Sequence, residues 1–92
     1  MEKRGKRNIT DLVVKCNQEN AIEALRKIIF FADDGKFVPF NVSLAEGKGV
    51  PAIEWIHYNE KNGIKELFEF AEECYYKHEG SEYEIRIGGL RY

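Results

Sequence analysis

Phe37-Val38-Pro39-Phe40-Asn41-Val42-Ser43-Leu44, then Ala45-Glu46-Gly47-Lys48-Gly49, then Val50 to Tyr58: the reading of the fold rests on this middle stretch of the 92-residue chain. Its first part alternates, with Val38, Phe40, Val42 and Leu44 on one side and Phe37, Pro39, Asn41 and Ser43 on the other, which predicts a strand. Pro39 has no N–H for a ladder, so this strand is expected at a sheet edge. The glycine-flanked connector is a flexible loop, and Val50 to Tyr58, rich in β-branched and aromatic residues, predicts a strand that pairs back as a hairpin.

Outward from the hairpin, helical spacing appears on both sides. Upstream, Ala21, Ile22, Leu25, Ile28, Ile29 and Ala32 predict a helix over 18–32, capped by Asn17 and stopped by Asp33-Asp34-Gly35. Downstream, Ile64, Leu67, Phe68, Ala71, Cys74 and Tyr75 predict a second helix that opens at Asn59 or Asn62, runs to about Lys77 and ends at Gly80. Ile9 to Cys16 alternates as a first strand, with Thr10, Leu12, Val14 and Cys16 inward. Tyr83, Ile85 and Ile87 mark a fourth strand, released by Gly88-Gly89.

The order β-α-β-β-α-β predicts an α+β fold of the ferredoxin-like kind: a four-stranded antiparallel sheet with two helices on one face. In that topology the first and third strands are central and the second lies at an edge, which suits Pro39. Residues 1–92 read as a single domain, with 1–7 a basic flexible arm and 8–88 the folded core.

Composition narrows the function classes. A formal charge of −2 argues against a general polyanion binder, although Lys3, Arg4, Lys6 and Arg7 cluster at the start and Glu66, Glu69, Glu72 and Glu73 load the second half. Cys16 and Cys74 form neither a CxxC nor a dense framework and no apolar signal segment precedes them, so they read as reduced core thiols of a cytoplasmic protein. No apolar run is long enough to span a bilayer. On that reading, the sequons at Asn8 and Asn41 are coincidental.

With both helices on one face, the other face of the sheet is open. If Ile53 and Trp55 point inward, Val13, Phe37, Ile56 and Tyr58 form an apolar patch on it, of a kind a monomer seldom leaves bare. Ala52, Asn41 and Glu54 share that face, and Asp11 and Lys15 are expected to pair with Arg86 and Glu84 across strands one and four. A one-residue slip of strand three exchanges the sets and exposes Ile53, Trp55 and His57.

Lys48-Gly49-Val50-Pro51-Ala52-Ile53-Glu54-Trp55 resembles the third-strand signature of the RNA recognition motif, written K/R-G-F/Y-G/A-F-V-x-F/Y, at Lys48, Gly49, Ile53 and Trp55. The resemblance implies single-stranded RNA on the open face. Val50 and Ala52 replace the two stacking aromatics, and Val13 stands where strand one would carry another, so the main source of base affinity is missing. Acylphosphatases share length and element order, but the junction Lys15-Cys16-Asn17-Gln18-Glu19 lacks their glycine-rich loop and its arginine.

No residue set reaches a catalytic or metal pattern. Cys74 and His78 share a helix face without further ligands, Asp33 and Asp34 sit where a helix must stop, and His57 reads as a strand-end side chain. Gly47-Lys48-Gly49 lacks the pattern ending in GK[ST]. No metal and no cofactor are expected. The expectation is a small non-catalytic binding or regulatory module that acts through its open sheet face, as a homodimer or with another protein as its partner. The alternatives are a nucleic-acid-binding protein using Lys3, Arg4, Lys6, Arg7 and Lys48, and a small acidic inhibitor of a larger macromolecular machine.

Overall fold

The computed structural model describes residues 8–47 and 50–91, in the order β1 (Asn8–Lys15), α1 (Ala21–Asp33), β2 (Phe37–Ala45), β3 (Glu54–His57), α2 (Ile64–His78) and β4 (Glu84–Arg91). All strand pairings are antiparallel and the sheet order is β1-β4-β2-β3. The α+β class and the element order agree with the expectation. The ferredoxin-like strand order does not: β4 and β2 are central, and β1 and β3 lie at the edges.

Pro39 therefore sits in a central strand, and two local features make that possible. A bulge interrupts the β2–β4 register between Pro39 and Asn41. Gly89, opposite Pro39, also pairs with Thr10 of β1, and its backbone groups belong to that side. The nitrogen of Pro39 then faces away from β4, toward β3, whose pairing with β2 stops at Asn41. No ladder donor is lost.

The bulge also shifts the side-chain alternation by one residue. Val42 and Leu44 face the helices as expected, but before the bulge it is Phe37 and Pro39 that share their side. Phe37 is 3% exposed and belongs to the core. With them stand Val14 of β1 and Ile85 and Ile87 of β4, and Leu25, Ile28, Leu67, Phe68 and Ala71 of the helices close over them. Arg26 of α1 reaches Glu72 of α2 at 3.7 Å, so both helices lie side by side on this face.

The helices start later than their spacing suggested. Asn17 gives its side-chain amide to Glu82 at 2.6 Å instead of capping α1, which opens at Ala21 after a turn. Its C-terminus follows the sequence: Gly35, at φ +76°, donates to Ala32 C=O and Lys36 to Phe31 C=O. Asn59 accepts hydrogen bonds from the Lys61 and Asn62 N–H groups in a turn ahead of α2, and Glu66 accepts the Gly63 N–H at 2.9 Å to cap the helix itself. β4 runs through Gly88 and Gly89 to Arg91, so the glycine pair lies inside the strand instead of ending it. Gly88 N–H donates to the Asn41 side chain, and the Phe37 ring packs where a Gly89 side chain would stand.

Candidate interaction surface

The registers define what the side of the sheet away from the helices carries. One cross-strand row is Val13, Arg86, Ser43 and Trp55; the next is Asp11, Gly88, Asn41 and His57. Phe40 stands at the bulge on the same side. Trp55 is 59% exposed, Val13 42% and Phe40 37%, and the Trp55 and His57 rings meet edge to face at 6.5 Å.

Strand three thus has the slipped phase. Ile56 pairs with Val42 and packs against the core, on the helix side. Tyr58 is exposed but lies past the end of β3, where its N–H donates to Phe40 C=O at 2.8 Å. Of the expected patch, Val13 is on the open face, Phe37 and Ile56 are on the opposite one, and Trp55 and Phe40 take their place. The sequence signal for this was the exchange of sets that a one-residue slip produces. Lys3, Arg4, Lys6, Arg7 and Lys48 lie outside the described residues.

The charge pairing also differs from expectation. Lys15 stands opposite Glu84 and Val13 opposite Arg86, yet among the described residues the ion pair on this face lies within β4: Arg86 donates to Glu84 at 3.1 Å. Glu84 is only 8% exposed, so the guanidinium contact offsets part of its desolvation.

The groups weighed for chemistry are occupied structurally. Cys74 is 4% exposed, and burial, with Glu54 and Glu73 adding negative charge nearby, raises its thiol to about 11. A thiol so placed is no nucleophile at neutral pH. Cys16 is pushed up by burial as well, opposed by a hydrogen bond from Ser81. His78 stacks on Tyr83 at 4.5 Å, and Asp34 ends α1 with Lys36 beside it at 3.4 Å. Among the described residues no group of three or more His, Cys, Asp or Glu side chains is placed to hold a metal ion, and no helix is long and apolar enough to cross a membrane. A cleft of about 190 Å³ lies between α1 and the β1 end of the sheet, lined by Thr10, Leu12, Phe31 and Phe37 with the cations Lys36 and Arg91.

No family model, no curated protein and no solved structure matches the chain.

Proposed function

We propose that the chain is a non-catalytic binding module that docks a protein partner on its open sheet face, centred on Trp55. The observation that supports it is a tryptophan more than half exposed in a cross-strand row with Arg86 and Val13, on a face that also presents Phe40. Tryptophan and arginine are the side chains that dominate binding energy in protein interfaces, because each buries a large area at small entropic cost or makes several directed hydrogen bonds. Trp55 contributes little to the core, so its exposure serves no folding purpose that outweighs an aggregation risk.

The test is affinity capture from the native host with the wild-type chain, Trp55→Asp and, on the outer surface of α1, Phe30→Asp. A protein retained by wild type and by Phe30→Asp but lost with Trp55→Asp is the expected result. Equal retention by all three sinks the reading. The rings of Trp55, His57 and Phe40 favour a second reading, stacking of single-stranded nucleic acid. It requires fluorescence anisotropy of an oligouridine probe to rise with protein and to fall back steeply with salt.

A further inference from the structure

β1 is an edge strand with eight residues in unbroken register against β4, free of proline and of bulges. Such an edge offers its outward N–H and C=O groups to another strand unless something blocks them. Which groups point outward follows from the ladder. Cys16 N–H donates to Tyr83 C=O at 2.9 Å, and hydrogen-bonded pairs alternate along an antiparallel pair, so Val14, Leu12 and Thr10 also turn toward β4. Asp11, Val13 and Lys15 turn outward. Lys15 confirms the phase independently: its N–H meets the Gln18 side-chain oxygen at 2.8 Å and its C=O accepts from Gln18 N–H at 3.1 Å, both away from β4.

The same three residues place their side chains on the open face, in the order acid, apolar, base. That order is self-complementary. We propose that β1 pairs with β1 of a second copy, antiparallel about a twofold axis at Val13, which joins the two sheets into one of eight strands. Val13 then meets Val13 of the second copy, and each Asp11 faces Lys15 of the other chain. Centring the axis on Asp11 would oppose two carboxylates, and like charges directly across a ladder repel. Gln18 engages both outward groups of Lys15: pairing displaces its side-chain amide from the Lys15 N–H, while the Lys15 C=O keeps the Gln18 N–H and accepts the incoming N–H on its second lone pair. Phe31, half exposed beside Thr10 and Leu12 on the helix side of the same edge, adds apolar surface to the contact. Partner docking at Trp55 is separate, since β3 lies at the opposite edge.

Sedimentation velocity on the full chain over a concentration series tests the proposal, and the expected result is a concentration-dependent dimer. Val13→Pro removes an N–H that points away from β4 and meets no acceptor among the described residues, so it yields a monomer with an unchanged circular dichroism spectrum. Asp11→Lys and Lys15→Asp each weaken the dimer by about tenfold or more, and the double exchange restores it by re-forming the pairs with reversed polarity. Should Val13→Pro fail to fold, this charge exchange decides alone. A wild-type chain that stays monomeric overturns the proposal. So does a double variant as weak as the singles, or a dimer that Trp55→Ala abolishes and Val13→Pro leaves intact.

Discussion

Gly89→Ala should damage the fold more than any other single-methyl addition in the sheet, and the structure says why. A Cβ at Gly89 would stand 2.5 Å from the Val38 carbonyl oxygen and 2.6 and 2.8 Å from two carbons of the Phe37 ring, where ordinary contact needs about 3.5 Å. The carbonyl belongs to the backbone of a central strand. Phe37 is locked in the core, so neither neighbour yields cheaply. In an open strand, replacing glycine by alanine would stabilise by roughly 0.5–1 kcal/mol through the unfolded chain, but an overpacked core costs about 1–3 kcal/mol, and the strain wins. Less that gain, a net loss of about 1–2 kcal/mol remains, which corresponds to a fall in Tm of about 4–16 °C for a chain of this size. Gly88→Ala is the control. Its Cβ would meet the ends of the Asn41 and Asp11 side chains, which can rotate away, so the lost Gly88 N–H bond to Asn41, about 1 kcal/mol, is offset by the same unfolded-chain gain and stability stays close to wild type. Urea unfolding of both variants, and of Gly89→Ala combined with Phe37→Leu, measures the difference and the coupling. A Gly89→Ala chain as stable as Gly88→Ala, or a double variant whose losses simply add, would refute the packing account.

Cys74 sets an alkaline limit: its thiol titrates near 9.0 when unfolded and about 11 when folded, so its contribution is complete below pH 9 and disappears as pH rises from 9 to 11. The total is on the order of 3 kcal/mol, of which about 2 is gone by pH 10.5, and the difference between wild-type and Cys74→Ala unfolding free energies at pH 8 and pH 10.5 isolates it. A difference that does not change with pH rejects that cause. Val14→Pro removes both a donor to β4 and a core side chain, so it should cost more than about 3 kcal/mol in urea unfolding, in contrast to its neighbour Val13. Glu66→Ala frees the Gly63 N–H at the start of α2 and should lower stability by about 0.5–1 kcal/mol, read as a shift in the urea midpoint with unchanged m; no shift means water caps the helix equally well.

The six elements were legible because each carries its own period, and Gly35 and Gly80, at φ +76° and +83°, marked where the helices turn back. Strand order carries no such mark. Both the expected order and the observed one keep β1 parallel to β2 and β3 parallel to β4, each pair separated by one antiparallel strand, so connections of the same length serve either. The glycine pair at the end of β4 misled because glycine commonly ends a strand. Here it lets β2 approach closely, since Phe37 and Asn41 fill the space that side chains at 88 and 89 would need. Nor does alternation reveal a bulge: Phe37 to Leu44 reads as one unbroken series, yet the extra residue at Phe40 buries Phe37 and turns Phe40 outward.

The place of β3 in the sheet also decides its phase, which alternation alone leaves open to a one-residue slip. A central strand must bury its helix-facing side chains completely, and on that premise Glu54 cannot point toward the helices, because an unpaired carboxylate there would cost several kcal/mol. Ile53 and Trp55 then have to point inward. At an edge the premise fails. Glu54 faces the helix side at the rim of the sheet, where its side chain stays 42% exposed and Lys77 of α2 stands 3.9 Å away, so its charge is never fully desolvated. Ile56, one strand row along, still reaches the core. With Glu54 and Ile56 on that side, Trp55 has only the open face left. The edge position of β3 thus produces the exposed tryptophan, and an edge strand of four residues puts it at the border of the face, where a partner can reach its ring without displacing any part of the fold.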